Sequence, residues 1–586
     1  MLRASRASYA LIRTLLLGTA AVITATAVSP VLVGCKDENQ PEYWLDKLDD
    51  AKWRPRAVKR LTQFLDDSLG RANNDMTDPG VKKLEDTLVE PLTKAYVDNY
   101  AELDTQTRVE LIKLLADFRD ERALAALNKA FEEFAKRPRT TSDEADIKWA
   151  VRAYGDMKKP ELAAGVLAAF EKLEAHTQLG GITYKDYSKA MVAAPSASWS
   201  STLIAKLEVE MKHPTSGKTK EQQRDLIEPY RDQAFWQVTA AQVLGEIGDA
   251  SAVEPLLKVL LDPSKGDIAT TAILALVKIG KPSVDRAIKL LDASDPLVAF
   301  HKKALMKASD SKEEPKGNPA LSIAAAVIGL CGRADGIEPL IKAMEKPGLE
   351  AADKAVLAQE LTKLPATDVS KAAFKAAFES IPLDTSMPSQ APALPVLAEA
   401  AGDFYDPGMV DWLLDRAENT AGGGEEKTAL QQALATSALK VAKVAQAKAV
   451  NAAAKRYKVD DLAKYGVPML EKCGDKVDCY LAEVEKSENQ SKEKQVAGIK
   501  AAYMIGILGN ESSRDALVDR LPSLENAAVH FVATKSIDKL TPKGSAEVVK
   551  KLTDLIEKNE KSADSEKLSA NQPLKQVAYR IAARSK

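Results

Sequence analysis

A pattern that recurs along the chain constrains the fold more than any single motif. Residues 240–260 read AAQVLGEIGDASAVEPLLKVL, and residues 324–344 read AAAVIGLCGRADGIEPLIKAM in the same register. Residues 501–521 and 271–291 follow the same pattern, which gives a unit of roughly 32 to 42 residues. Because repeats of this length are typical of stacked supersecondary units, the pattern predicts an elongated array rather than separate globular domains.

Each repeat predicts a pair of helices. Apolar residues within 240–247 fall on one helical face, and Gly248 suits a helix end that needs a left-handed backbone. The second helix is expected to open at Ser251 with a capping box to Glu254, which places Pro255 within the first turn or just after it. Residues 335–338 and 87–90 repeat this capping arrangement.

The composition supports helices. Aromatic residues make up 5% of the chain while Ala, Leu, Lys and Glu abound, and these four lose little side-chain freedom in a helix. We therefore predict an all-α protein with very little strand. Residues 571–586 place Val577, Ile581 and Ala582 at helical spacing and are expected to form the polar cap that ends the array.

These residues, above all LGEIGDASAVEPLLKVL at 244–260, resemble the HEAT-repeat family, as do residues 43–65 and 114–131. The resemblance implies an α-solenoid of antiparallel helix pairs that presents a surface to other proteins. A tetratricopeptide array is the rival fold, but the variable repeat length and the missing Trp-Leu-Gly-Tyr spacing favour HEAT.

The domain organisation follows from where the pattern breaks. We expect an N-terminal HEAT-like array at 42–382 with an insertion at 177–232, and a C-terminal array at 396–586. Residues 383–395 are rich in proline, interrupt the helical pattern and are predicted to form a hinge between the two arrays.

The N-terminal leader predicts export. Residues 1–13 carry three arginines and no acid, and residues 14–33 are apolar or small, as in a secretory signal. A permanent membrane span is the alternative. Leu32-Val33-Gly34-Cys35 resembles the lipobox of bacterial lipoproteins, which implies that residues 1–34 are a cleaved signal peptide and that Cys35 carries the lipid. Residues 35–41 would then be the lipidated cysteine and its tether.

That resemblance places the chain in the bacterial cell envelope, anchored by lipid and facing the periplasm. Position 36 is Lys rather than the Asp that holds many lipoproteins in the inner membrane, which favours the outer membrane. In an oxidising periplasm we expect Cys473 and Cys479 to form a disulfide, since no further ligand lies near to complete a metal site. Cys331 lies in an apolar helical stretch and is expected to be a buried thiol.

The sequence offers no catalytic constellation. The four histidines are scattered without metal-ligand spacing, and SGKTK at 216–220 lacks the second glycine of a phosphate-binding loop. We therefore expect no metal, no cofactor and no enzymatic activity. The formal net charge of −2, or −5 once the three leader arginines are removed, gives no platform for nucleic acid.

The insertion at 177–232 carries the candidate partner-binding residues Tyr184, Tyr187 and Trp199, which are of types enriched at binding hot spots. The alternative is that these aromatics pack into a gap in the stack. The expected function is a protein–protein interaction scaffold that binds unknown envelope proteins. The alternatives are an enzyme or lyase that uses the solenoid groove, and a purely architectural envelope component.

Overall fold

The computed structural model describes residues 37–136, 144–175, 183–487, 491–562 and 565–584. Regular structure in these ranges is helical, with an isolated antiparallel bridge between Ser386 and Pro392. The chain divides into two compact units, Met1–Pro91 and Leu92–Lys586.

The first unit is built on two helices and part of a third: α1 (Pro41–Leu45), α2 (Arg54–Arg71) and α3 (Pro79–Asn99), which crosses the division. Its core includes Trp44 and Leu61, which are 3% and 0% exposed. The Trp44 indole Nε1 donates to the Glu38 carbonyl at 2.7 Å, and Arg54 Nε donates to the Leu48 carbonyl at 2.6 Å. These bonds hold the segments around the short helix α1.

The second unit holds the rest of the helices. Before and within the predicted insertion they are α4 (Thr105–Phe118), α5 (Leu124–Lys136), α6 (Glu144–Met157), α7 (Ala163–Phe170), α8 (Thr183–Ala193), α9 (Ser200–Glu208) and α10 (Lys220–Asp225). The middle of the unit contains α11 (Ile227–Ile247), α12 (Val253–Leu261), α13 (Gly266–Ile279), α14 (Lys281–Leu290), α15 (Pro296–Ser309), α16 (Leu321–Cys331), α17 (Ile337–Met344), α18 (Ala351–Leu361) and α19 (Asp368–Ser380).

The helices that follow the Pro-rich segment are α20 (Ala393–Ala400), α21 (Val410–Glu418), α22 (Gly424–Val441), α23 (Ala447–Tyr457), α24 (Asp460–Cys473), α25 (Val477–Lys486), α26 (Lys492–Leu508), α27 (Glu511–Arg520), α28 (Ala527–Lys539), α29 (Ala546–Glu560) and α30 (Ser565–Arg584). The predicted hinge at 383–395 therefore lies inside the second unit, whereas the division of the chain into two units falls between Pro91 and Leu92. Motion at the segment stays a prediction.

Stacked helix pairs make the second unit an all-α solenoid, as the repeat predicts. The first helices of successive pairs pack on one another, as α11 does on α13, α16 on α18 and α26 on α28. Gly245 permits the first of these contacts, since a Cβ there would lie 2.9 Å from the Ala275 Cα. Gly248 ends α11 with a φ of 73°, the left-handed conformation that the sequence predicts.

The predicted capping boxes are wrong. The Asp249 carboxylate accepts the Ser251 N–H at 2.8 Å and opens a 3₁₀ turn, Ala250–Ala252, before α12 begins at Val253. An Asp one residue upstream of the turn therefore does the capping that was assigned to Ser251. A second 3₁₀ turn, Ala334–Gly336, precedes α17, and residues 87–90 lie inside α3. Pro255 does fall in the first turn of α12.

The last helix does not form the polar cap that the sequence predicts. Residues 571–584 belong to α30, which packs against α13 and α16, about 250 to 300 residues earlier in the chain, rather than ending the array as a polar cap. Ala583 fits so tightly against Gly280 that a Cβ on that glycine would lie 3.1 Å from the Ala583 methyl. The array from α13 to α30 therefore closes on itself.

Candidate functional site

The structure places the predicted partner-binding aromatics mostly in the core. Tyr187 and Trp199 are 0% exposed, and the Trp199 indole donates to the Ala163 carbonyl at 3.0 Å. Tyr184 is partly exposed and meets the Phe235 ring edge-on at 5.5 Å between centroids. Since a fully buried side chain offers no surface to a partner, the assignment of Tyr187 and Trp199 to partner binding is corrected: they pack within the stack.

The described cysteines occur in two states, a disulfide and a buried free thiol. Cys473 and Cys479 are joined by a disulfide with 5.4 Å between their Cα atoms, and the Tyr480 hydroxyl donates to the Gly474 carbonyl in the same loop. Cys331 is a buried free thiol whose pKa burial raises to about 12, which makes it unreactive. Cys35, predicted to carry lipid, lies outside the described residues.

Two features that would indicate a metal site or a membrane span are missing from the described ranges. These ranges hold no group of three or more His, Cys, Asp or Glu side chains able to bind a metal ion. Every helix there is too short or too polar to traverse a lipid bilayer. Of the histidines, His301 contacts the Leu261 carbonyl through Nδ1 at 2.5 Å, and His530 is 6% exposed.

A cavity of about 260 Å³ lies where α30 closes the array, and six of the side chains that line it are charged. One face of α28 contributes Phe531, Thr534, Lys535, Asp538 and Lys539. From α30 come Pro573, Gln576, Val577 and Arg580. The remaining wall is formed by the ends of α16 and α18 and by the 3₁₀ turn Ala401–Phe404 with the following Tyr405. We call this space the closure cavity.

Asp538 anchors one side of the closure cavity. Its carboxylate lies 2.6 Å from Arg580 Nη1 and 3.0 Å from Arg584 Nη1. Burial alone would raise the pKa of Asp538, but the two guanidinium charges outweigh it and hold that pKa below its usual value. Arg580 also donates from Nε to the Leu330 carbonyl at 2.9 Å, and so connects α28, α30 and the end of α16.

A second ion pair also lines the closure cavity. Lys535 Nζ lies 2.9 Å from both carboxylate oxygens of Asp403, and its ammonium sits 4.9 Å from the centroid of the Phe531 ring. Tyr405 adopts a left-handed φ of 55° and packs on Tyr503. Because the Tyr405 side chain is buried, its pKa is raised well above the ordinary value and the phenol stays neutral.

Lys539 differs from the other cations of the closure cavity. Among the described residues, no carboxylate or carbonyl oxygen accepts a hydrogen bond from its ammonium, which lies 5.8 Å from the Tyr405 ring centroid. Burial lowers the pKa of Lys539 to about 8, against the attraction of Asp538 and Asp403. The cavity thus contains a cation that the protein leaves without an anionic hydrogen-bond partner.

Sequence reasoning missed the closure cavity. A signal was present in α28, since Phe531, Lys535, Asp538 and Lys539 recur at helical spacing and give a mixed apolar and charged face where a packed helix would be apolar. The other charged residues of the cavity gave no such signal. Asp403 lies over 120 residues before that face, and Arg580 belongs to a segment predicted to be the polar cap of the array.

Stacked antiparallel helix pairs with short turns define the class of this chain: it is an α-helical repeat protein. Residues 236–262 match the family model of the PBS lyase HEAT-like repeat, which covers the end of α11, the 3₁₀ turn and α12. The family match supports a HEAT-like repeat at these residues, within the stack of helix pairs. No curated protein matches it.

Proposed function

We propose that this chain is a membrane-anchored HEAT-repeat lipoprotein that faces the periplasm and serves as an interaction scaffold for proteins of the bacterial cell envelope. The observation that carries the proposal is the array of stacked helix pairs. Each pair buries its apolar faces against its neighbours and leaves polar faces outside, which produces a long accessible surface. The proposal assigns no reaction to the chain.

The start of the first unit supports a short anchor. The hydrogen bond from Trp44 to the Glu38 carbonyl already ties Glu38 to the folded unit. Three peptide units separate Cys35 from Glu38, and they span at most about 11 Å when fully extended. A lipid on Cys35 would therefore hold the first unit close to the membrane surface, where envelope proteins are accessible.

Metabolic labelling with a fatty acid tests the anchor. We expect the wild-type chain to incorporate label and Cys35→Ala to incorporate none, because the thiol is the acceptor of the first acyl group. Cys331→Ala is the matched control, since it removes a buried thiol and should leave labelling unchanged. Label retained by Cys35→Ala would contradict the anchor.

Cross-linking in cells followed by mass spectrometry tests the scaffold. We expect the same envelope proteins to be recovered in repeated experiments, with cross-links on exposed lysines of the array. Removing the anchor by Cys35→Ala should reduce their yield if partners are met at the membrane. A chain that gives no recurring protein partner, yet co-purifies with a small molecule that it converts, would favour the enzyme alternative.

A further inference from the structure

We propose that the closure cavity is a binding site for a small organic anion, a carboxylate or a phosphate monoester that carries one apolar group. The inference goes beyond the scaffold function and is independent of the lipid anchor, because every residue that lines the cavity belongs to the second unit. It rests on the balance of charge in the cavity, on one cation without an anionic partner, and on the apolar side chains that line the same cavity.

The balance of charge favours an anion. Four side chains that line the cavity are basic and two are acidic. Lys535 is neutralised by Asp403, and Lys363 by Glu360, which lies buried outside the cavity wall. The negative charge of Asp538 neutralises one of the two guanidinium charges, those of Arg580 and Arg584, that contact it. The space therefore carries excess positive charge, which an anion entering it would compensate.

Lys539 provides the contact point. The other cations of the closure cavity are held by carboxylates, whereas Lys539 has no such partner among the described residues. An ammonium that is partly shielded from water and lacks an acceptor raises the free energy of the folded protein, and a charge-assisted hydrogen bond to a bound anion lowers it. A carboxylate or phosphate oxygen is the acceptor that fits an ammonium.

The apolar side of the cavity selects the rest of the ligand. Phe531 is 43% exposed, although large apolar side chains elsewhere in the described second unit are mostly buried, and Val577 and Pro573 lie on the adjoining helix. A volume of about 260 Å³ lies near the lower limit for small-molecule sites and suits a single ring with one charged group. An aromatic or short aliphatic anion matches both surfaces.

Calorimetric titration of the mature chain at about pH 7 tests the proposal with four probes: phenyl phosphate, benzoate, inorganic phosphate and neutral benzyl alcohol. We expect phenyl phosphate, benzoate or both to bind with a Kd below about 1 mM, and benzyl alcohol to bind at least tenfold more weakly. Comparing the first two probes distinguishes a phosphate ligand from a carboxylate ligand. No binding by either anion up to about 10 mM would overturn the proposal.

Two variants and one control variant locate the binding. Lys539→Gln should weaken anion binding at least tenfold, while Lys550→Gln, which changes an exposed lysine on α29, should leave it unchanged. Phe531→Ala should weaken phenyl phosphate more than inorganic phosphate, because it removes apolar surface and leaves every cation of the cavity in place. Equal affinity of wild type and Lys539→Gln would overturn the assignment.

A measurement on the wild-type chain keeps the proposal testable if a variant fails to fold. Acylation of lysines by a small reagent, read by mass spectrometry, reports the accessibility of each amine. Bound phenyl phosphate should slow acylation of Lys539 several-fold and leave Lys550 unaffected. Identical acylation of Lys539 with and without a saturating probe would show that the anion binds elsewhere.

Discussion

Single buried ionisable side chains show how strongly this fold can shift a proton equilibrium. His530 lies in α28 and is 6% exposed, and burial lowers its pKa to about 4. Lys500 in α26 is 1% exposed; burial also lowers its pKa, and its ammonium donates to the Lys440 and Ala442 carbonyls at 2.9 and 2.7 Å. Both residues belong to the packed interior rather than to the closure cavity.

His530 predicts a loss of stability in mild acid. Its pKa is about 4 when folded and about 6.5 when unfolded, so the unfolded chain binds more protons between these values. The free energy of unfolding should therefore fall as the pH drops through this window, by at most about 3 kcal/mol from this residue. Urea unfolding at about pH 7 and about pH 4.5 should show a smaller loss for His530→Gln than for wild type. An equal loss of unfolding free energy in wild type and His530→Gln would contradict the assignment of the acid sensitivity to His530.

Helix ends are stabilised by side-chain donors from later segments of the chain. Carbonyl groups at a helix C-terminus lack intrahelical partners. Side chains from later segments satisfy them repeatedly, and the donor–acceptor pairs are Lys265 to Leu207, His301 to Leu261, Asn318 to Leu290, Gln431 to Ala417 and Arg580 to Leu330. Each bond fixes one element against the end of another, so the stack is held by polar contacts as well as by apolar packing.

Asn318 tests the contribution of one such contact. Its Nδ2 donates to the Leu290 carbonyl at 2.9 Å and its Oδ1 accepts the Ala320 N–H at 3.0 Å, which joins the end of α14 to the start of α16. Asn318→Ala should lower the free energy of unfolding by about 1–2 kcal/mol, measured by urea unfolding. The control is Asn419→Ala, which removes an exposed bond to Asp415 and should cost less than about 0.5 kcal/mol. If both variants lowered the free energy of unfolding equally, the hydrogen bond from Asn318 to the Leu290 carbonyl would not stabilise the protein.

At the scale of the second unit, closure by α30 changes how stability is distributed. In an open solenoid a helix pair is stabilised by its neighbours in sequence, and a substitution is felt locally. Here α30 packs on α13, and Lys278 of that helix lies 3.9 Å from the centroid of the Tyr579 ring. A perturbation in the last helix should therefore reach a segment about 300 residues earlier.

Tyr579→Ala tests this coupling by native-state hydrogen exchange. We expect lower protection of the amides in α13 (Gly266–Ile279), because the variant removes the ring that packs over Lys278. Tyr465→Ala is the matched control: that tyrosine is also partly exposed beneath a lysine, Lys464, but lies in α24. Unchanged protection of α13 in Tyr579→Ala would show that closure does not stabilise it.

The sequence by itself determined the local structure. Helical spacing of apolar residues predicted the helix pairs, and Gly248 predicted the left-handed end of α11, because both depend on residues a few positions apart. The same local reasoning failed at Ser251, because the Asp249 carboxylate rather than the Ser251 hydroxyl caps the turn before α12. It also could not decide whether Tyr187 and Trp199 face solvent, since burial depends on the neighbouring helices.

Only the tertiary structure decided where the array closes. Small rotations from one helix pair to the next add up over the stack, and no local pattern encodes their sum. That sum brings α30 onto α13 and α16 and places Asp403, Asp538 and Arg580 around one cavity. The closure cavity, with its unpartnered Lys539, is therefore a product of long-range packing, whereas the repeat that builds it can be read directly from the sequence.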